Sequence, residues 1–325
     1  MLPTFFVLGA AKAGTTSLYR YLGDHPDVFV PRVKEPFFFS FMEENPVFQG
    51  PHDEDTNESI VTDPDTYTRL FDNAEEVQER GDFSCSYVYF TRTAERIKEA
   101  VPDAKIIIML RDPVRRAFSH HLQFHMLGHD TVSFEEALAE EKRRDEANWR
   151  WHYQLWDQSR YYEQVRQYVE TFAANQVHIL LFEDFVGDTR NAIKDVARFL
   201  DVDTAFYDDY DFTRHNATKL PKNDLIHRLF RTRNSLRRIF RWVTPLSLRQ
   251  WAADFVTNHN YDRDQIPSLS EDVEQRLREE FRGDVERLEA LIDRDLSMWK
   301  GGRDADAASS RSTSTRTSRS APSAR

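Results

Sequence analysis

The segment with the most evident chemistry is the glycine loop over residues 9–17, directly after the apolar run Phe5–Leu8. Gly9 and Gly14 enclose four residues, the glycine spacing of a Walker A loop, but the lysine lies inside the loop as Lys12. Glycines allow close backbone approach, and free N–H groups at a helix start attract phosphate oxygens. Hydroxyl donors follow in the order Thr15, Thr16 and Ser17. The loop therefore predicts phosphate binding; the alternative is an ordinary strand-to-helix turn with a chance lysine.

Alternating apolar runs and helical stretches must position this loop. Lys105–Leu110 and Val177–Phe182 are, like Phe5–Leu8, continuous apolar runs of strand length. The helical stretches are predicted over Thr16–Leu22, Val114–Met126, Asn191–Leu200 and Glu271–Leu291. Buried strands separated by helices indicate an α/β fold with a P-loop-like parallel β-sheet flanked by helices on both faces.

The composition of the chain argues against several classes of protein, among them nucleic-acid-binding, disulfide-rich and membrane-spanning proteins. The formal net charge of -11 argues against nucleic-acid binding, and only nine of the 325 residues are lysine, so a lysine inside a glycine loop stands out. A single cysteine, Cys85, excludes an intramolecular disulfide framework and a cysteine-built zinc site. No apolar run reaches the roughly 20 residues of a membrane span, so we expect a cytoplasmic protein. Residues 1–302 are predicted to form one domain, and residues 303–325 a disordered tail rich in Ser, Thr and Arg.

The glycine loop resembles the 5′-phosphosulfate loop of sulfotransferases that use 3′-phosphoadenosine 5′-phosphosulfate (PAPS), in particular the carbohydrate and heparan sulfate group and its microbial relatives. The likeness extends to the segments Lys34–Phe39, Gly81–Tyr87 and Ile106–Ser119, in the same order. It implies a sulfotransferase domain over residues 1–302 and PAPS as the co-substrate, with no metal. The implied contacts to the 5′-phosphosulfate come from Lys12, Ala13, Gly14, Thr15, Thr16 and Ser17.

The resemblance also implies the catalytic pair Glu35 and Lys12. An acceptor hydroxyl or amine must lose a proton as it attacks sulfur, so a carboxylate base is required near the phosphosulfate. Glu35 is the expected base, and Lys12 is expected to stabilise charge on the leaving oxygen. The alternative for Glu35 is a solvated loop charge beside an aromatic anchor.

Arg111 and Ser119 correspond to the family's 3′-phosphate segment. Arg111 follows a buried strand and can offer a bidentate guanidinium to phosphate, and Ser119 lies about two helical turns further on. The alternative for Arg111 is an ion pair with Asp112 or a helix end, and Arg115 and Arg116 are expected to be surface charges. Lys219 and Lys222 occupy the place of the family's basic loop over the nucleotide, so they are further candidate cofactor contacts.

The sequence does not identify the acceptor, and it leaves two other functions as alternatives. The family likeness implies a glycan, glycolipid or small alcohol or amine as acceptor. The basic amphipathic stretch Ile226–Trp251 predicts peripheral membrane contact or an anionic acceptor, with a core helix bearing a solvated arginine face as the alternative. One rival function is a P-loop phosphotransferase or NTPase that uses Glu183 and Asp184, and another is a noncatalytic glycan- or membrane-binding relative. His121 and His125 have a zinc-compatible spacing, but no third ligand appears at a diagnostic distance, so no metal is expected.

Overall fold

A parallel sheet of five strands organises the protein, whose structure is a computed structural model. In chain order the strands are β1 (Phe5–Leu8), β2 (Val28–Phe29), β3 (Glu79–Ser84), β4 (Lys105–Leu110) and β5 (Val177–Leu181). Their order in the sheet is β2-β3-β1-β4-β5, and every pairing is parallel. Strand β1 is fully buried between β3 and β4, which explains why all four of its residues are apolar.

Helices cover both faces of this sheet. They are α1 (Thr15–Gly23), α2 (Phe38–Phe41), α3 (Asp53–Ser59), α4 (Pro64–Arg69), α5 (Thr93–Ala100), α6 (Pro113–Leu127), α7 (Phe134–Ala139), α8 (Glu141–Glu146), α9 (Tyr161–Thr171), α10 (Phe182–Gly187), α11 (Thr189–Phe199), α12 (Glu271–Ile292) and α13 (Ser297–Lys300). Helix α1 packs with α11, while α9 packs with α5 and α12. The carboxyl ends of β1, β3, β4 and β5 open at one edge of the sheet, where ligands of α/β folds usually bind.

The apolar strands were predicted closely. Phe5–Leu8 and Lys105–Leu110 have the predicted bounds, and the third run ends one residue early because Phe182 begins α10. The predicted helices are also confirmed, each within a few residues of its expected ends. These predictions were correct because a strand buried on both faces leaves a local apolar signal.

Strand β3 gave no such signal because polar residues make up most of it. Its first residue, Glu79, is 6% exposed and accepts a hydrogen bond from Lys105 Nζ on β4 at 3.0 Å. Asp82 is fully buried and accepts hydrogen bonds from the Tyr67 and Tyr87 hydroxyls at 2.7 and 3.0 Å. Partners distant in the chain therefore stabilise this strand, and the sequence pattern could not reveal them.

The structure describes residues 1–42, 44–74, 77, 79–212, 220–221, 261–262 and 269–301. A short antiparallel pair joins β6 (Leu220–Pro221) and β7 (Tyr261–Asp262). Lys219, Lys222, the Ile226–Trp251 segment and the predicted tail over residues 303–325 lie outside the described residues. Within the described parts, no helix combines the length and apolar character that crossing a membrane requires.

Candidate active site

The glycine loop turns sharply from β1 into α1. Gly14 caps α1 with a positive φ of 91°, a conformation that favours glycine, and no side chain caps this helix end. A Cβ atom on Gly14 would lie 3.1 Å from Cδ2 of Phe182, so a side chain there would also press on the start of α10. Because the first amides of α1 have no side-chain partner, the loop presents free N–H donors to an anion.

A cavity of about 760 Å³ opens above this loop at the carboxyl edge of the sheet. Four cationic side chains line it: Lys12, Lys34, Arg111 and Arg150. Among the described lining residues, the one acidic side chain is Glu35. Arg150 pairs with the buried Asp53, so Lys12, Lys34 and Arg111 are the lining cations that can hold an anion in this chain of formal net charge -11.

Lys12 and Arg111 meet at the floor of the cavity. Arg111 Nη1 donates a hydrogen bond to the Lys12 carbonyl oxygen at 3.0 Å, and its guanidinium lies 4.5 Å from the ring centre of Phe182. Burial and, to a smaller extent, the nearby Arg111 charge lower the pKa of Lys12 to about 8. Burial also lowers the pKa of Arg111. Both cations are thus largely removed from water, a condition in which their attraction to a bound phosphate is strengthened.

Lys34 is a cation of the cavity that sequence reasoning did not assign. Its Nζ donates a hydrogen bond to Thr16 Oγ1 at 2.9 Å, which brings the charge to the first turn of α1. The signal that could have found it is composition, since lysine is rare in this chain and Lys34 directly precedes the expected base. The structure therefore joins the Lys34–Phe39 segment to the glycine loop.

Glu35 stands on the cavity wall rather than in open solvent. Its Oε2 accepts a hydrogen bond from the Cys85 backbone N–H at 2.9 Å, and its own N–H donates to the Phe83 carbonyl at 3.1 Å. Burial raises the pKa of this carboxyl, while the charge of Lys34 acts in the opposite direction. A fixed carboxylate of raised pKa facing a cationic cavity has the character of a general base.

Cys85 connects the base to the glycine loop. Besides its N–H bond to Glu35, its Sγ lies 3.0 Å from Thr15 Oγ1, and its carbonyl oxygen accepts from the Gly9 N–H at 2.9 Å. A Cβ atom on Gly9 would come within 2.4 Å of that carbonyl oxygen, so glycine is needed for this approach. The Gly81–Tyr87 segment thereby lines the cavity through Cys85 and Ser86.

The alternative partner of Arg111 is engaged elsewhere. Asp112 caps α6 by accepting from the Val114 and Arg115 amides at 2.9 and 3.0 Å, and its other oxygen pairs with Arg278 of α12 at 2.9 Å. Arg111 is left to the cavity, where Ser119, on the second turn of α6, also lines the wall. The two residues expected at the 3′-phosphate thus share one cavity with the glycine loop.

Arg116 corrects an expectation. The sequence suggested a surface charge, but the side chain is fully buried and donates from Nε to Ser159 Oγ at 2.7 Å. Its Nη1 lies 3.2 Å from His120 Nδ1. Arg115 instead pairs with Glu274 of α12 at 3.1 Å. Both arginines have structural partners, so neither is assigned to the cofactor.

The carboxylates required by the rival NTPase function do not line the cavity. Glu183 Oε1 accepts from the Asp112 N–H at 3.0 Å, and Asp184 pairs with Arg294 at 2.5 Å. Across the part of the chain that the structure describes, no group of three or more His, Cys, Asp or Glu side chains is arranged to hold a metal ion. The cavity therefore offers cations and N–H donors where a magnesium-dependent site would need acids.

Most of the predicted site residues come together. The cavity lining includes Lys12, Gly14, Thr15, Thr16, Ser17, Glu35, Arg111 and Ser119. Ala13 is different: its side chain is fully buried, its N–H donates to the Ala10 carbonyl at 3.1 Å, and it is not part of the lining. Its contact with a cofactor stays a prediction, as do those of Lys219 and Lys222.

The chain was compared with protein families and solved structures. Residues 3–208 match the model of the family described as "Sulfotransferase family". A solved sulfotransferase from Alicyclobacillus acidocaldarius is 34% identical and superposes with a TM-score of 0.71, covering 93% of this chain and 100% of that chain.

Two curated relatives match over shorter segments. Membrane-associated sulfotransferase kil1 of Dictyostelium discoideum is 32% identical over 146 residues, which is 43% of this chain and 28% of that protein. Carbohydrate sulfotransferase 15 of Rattus norvegicus is 25% identical over 179 residues, 43% of this chain and 30% of that protein. The matches thus span less than a third of these relatives. The family match over residues 3–208 nevertheless includes every lining residue named above, and the chain belongs to the sulfotransferase family.

Proposed function

We propose that this chain transfers a sulfuryl group from PAPS to a hydroxyl or amine of a glycan-type acceptor. The observation that carries the proposal is the charge arrangement of the cavity, in which Lys12, Lys34 and Arg111 face a site with Glu35 as its one described acid. Membership of the sulfotransferase family supports the same reaction class. The rival phosphotransferase has no comparable support, because its expected acids are engaged outside the cavity.

The residues present fit PAPS. The uncapped start of α1 after Gly14 provides N–H donors for the 5′-phosphosulfate, and Lys12 and Lys34 provide the neutralising charge. Arg111 and Ser119 are assigned to the 3′-phosphate, and a second anion site would distinguish this nucleotide from ATP.

The proposed mechanism is in-line transfer. Bound PAPS would supply the sulfuryl group and an adenosine 3′,5′-diphosphate (PAP) leaving group. The acceptor oxygen or nitrogen forms a bond to sulfur as the bridging S–O bond breaks, and Glu35 takes the acceptor proton. Lys12 and the α1 amides stabilise the charge that develops on the departing 5′-phosphate oxygen. No metal is required, because lysine and amide groups provide the neutralisation.

The proposed acceptors are a glycan, a glycolipid or a small alcohol or amine. Carbohydrate sulfotransferase 15 is by its name an enzyme of carbohydrates, which supports a glycan-type acceptor here. The kil1 relative is described as membrane-associated, which supports peripheral membrane contact. We propose a cytoplasmic protein that makes this contact through its basic amphipathic segment Ile226–Trp251.

The decisive test combines transfer with donor binding. The wild-type protein is incubated with ³⁵S-labelled PAPS and a glycan and lipid extract, and the products are identified by mass spectrometry. Glu35→Gln should lower the transfer rate by at least about 100-fold, because the base is lost. Its affinity for PAP, measured by calorimetry, should stay within about twofold because the phosphate contacts remain. Glu54→Gln, an exposed change on α3, is the matched control and should retain wild-type transfer.

Other results would point elsewhere. Full transfer by Glu35→Gln would remove this residue from the role of base. Magnesium-dependent ATP hydrolysis without PAP binding would favour the phosphotransferase instead. Binding of PAP without transfer to any component of the extract would favour a noncatalytic relative.

A further inference from the structure

Beside Glu35 the same cavity has an aromatic wall, whose residues are not among those assigned to the donor. We define this acceptor wall by six residues that line the same cavity: Phe37, Thr56, His120, Gln123, Phe124 and His152. The rings form a contiguous surface, with Phe124 stacked on His152 at 5.9 Å and His120 5.0 Å from Phe124. The Phe37 ring lies 6.4 Å from His152 and closes the series.

Arg150 is the one cation beside this wall among the described lining residues, and its hydrogen bonds are committed to the protein. Its Nε lies 3.3 Å from Asp53 Oδ1, and Asp53 is 1% exposed. Its Nη1 donates to the His52 carbonyl and to Thr56 Oγ1 at 3.0 and 2.5 Å. The buried Asp53 carboxylate therefore balances the charge of Arg150, and little of it is available to an acceptor.

The two histidines of the wall are uncharged near neutral pH because their pKa values are lowered. Burial lowers the pKa of His152 to about 3, and the Arg150 charge contributes to the shift. Burial and the neighbouring Arg116 hold the pKa of His120 far below its usual range, and Lys12 adds to the effect. Near neutral pH these rings are therefore hydrogen-bonding groups without charge. The Nδ1 of His152 is buried and has no hydrogen-bond partner in the structure.

We infer that the acceptor wall binds an uncharged, hydroxyl-bearing ring, such as an unsulfated sugar, and discriminates against carboxylated or sulfated acceptors. This inference rests on the proposed transferase function. Aromatic faces pack well against the C–H face of a sugar ring, while their negative quadrupole repels an anion. An acidic substituent would lose its water on entering the wall, and the lining cation beside it, Arg150, is already paired with Asp53. The cations at the glycine loop cannot compensate, because the phosphosulfate occupies them.

The test uses 4-nitrophenyl β-D-glucuronide and its methyl ester, which have the same sugar hydroxyls and differ in the charge of the carboxyl group and by one methyl group. Both lack a 6-hydroxyl, so a rate difference cannot come from a missing acceptor group. With PAPS present, the ester should be sulfated with a kcat/KM at least about tenfold above that of the acid, since a buried charge is left unpaired only in the latter. Binding of PAP is measured in parallel on the same preparation.

Gln123 provides a variant that should fold normally, since it is exposed on α6 at the mouth of the wall. Gln123→Lys places a cation there and should raise the acid-to-ester ratio of kcat/KM by roughly threefold, the strength of an exposed ion pair. Gln123→Glu is the matched control and should lower the ratio or leave it unchanged. Thermal melting confirms that both variants keep the fold.

The outcomes separate this inference from the function on which it rests. Equal or faster sulfation of the acid overturns the inference while the transferase stands. Transfer to heparin fragments but to neither glycoside overturns it as well. Binding of PAP without transfer to any acceptor overturns the proposed function, and the inference is then lost with it.

Discussion

Lys12 is the residue at which the chemistry of the loop can be measured most directly. Its pKa of about 8 results from burial and from the Arg111 charge, so the empty site begins to release this proton just above neutral pH. A bound phosphate requires the protonated ammonium, since that charge neutralises the anion. Donor affinity should therefore depend on pH through this one side chain.

We expect the affinity for PAP to be constant below about pH 7 and to fall above about pH 8. Binding at high pH must return a proton to Lys12, so the Kd should increase by up to about tenfold per pH unit. Calorimetry between pH 6.5 and 9.5 measures how steeply the Kd for PAP rises with pH. Lys12→Arg should flatten it, since a guanidinium stays charged over this range. The same slope in both proteins would assign the titration to another group.

At the scale of elements, the site depends on the junction between β1 and α1. Gly14 adopts a φ of 91° at this junction and lies against Phe182, whose ring in turn contacts the Arg111 guanidinium. The backbone turn and the cation are therefore coupled through one aromatic ring. Helix α12 holds the same region from outside, through the pair between Arg278 and Asp112 at the start of α6.

Gly14→Ala should damage both the fold and the site. The left-handed backbone alone costs about 1 kcal/mol for alanine, and the added methyl group would press on the Phe182 ring that lies against Arg111. We expect a lower Tm and a PAP affinity at least about tenfold weaker. Gly187→Ala is the control, because no atom lies within 4 Å of its Cβ position at the end of α10. A Gly14→Ala protein with wild-type PAP affinity would show that the turn does not position the donor site.

At the scale of the whole molecule, buried titratable groups connect stability to pH in opposite directions. Burial lowers the pKa of His152 to about 3, so below its ordinary value of 6.5 protons bind the unfolded chain first and stability is lost. Burial raises the pKa of Glu141 to about 7, so the folded state keeps this proton and stability is gained as pH falls from 7. Because these two contributions to the free energy of unfolding oppose each other, a variant that removes one titrating group is needed to measure either of them.

His152→Gln should reduce the acid sensitivity of the fold. The variant loses packing at every pH, but its Tm deficit relative to wild type should shrink between pH 7 and pH 5, because only the wild type retains the depressed histidine. Calorimetric melts at the two pH values measure the difference. His125→Gln on the exposed side of α6 is the control for the exchange of histidine for glutamine itself. A constant deficit for His152→Gln would show that this ring does not titrate on unfolding.

The features that could be predicted from the sequence are those that depend on residues close together in the chain. The glycine spacing with Lys12 inside the loop predicted an anion site, and the runs Phe5–Leu8 and Lys105–Leu110 predicted the buried strands that end beside it. The resemblance supplied Glu35, Arg111 and Ser119, and the structure brings these three into one cavity with the loop. Their roles in transfer are what the Glu35→Gln experiment tests.

The three-dimensional structure was needed to show which polar groups are buried and which residues they pair with. Strand β3 pairs with β1 although its sequence is largely polar, and Arg116 lies in the core where its sequence context suggested the surface. Lys34 reaches Thr16, and the acceptor wall is formed by Phe37, which precedes α2, by α3 and α6, and by His152. The physical reason is that a buried polar group is stabilised by partners distant in the chain, and no local pattern records them.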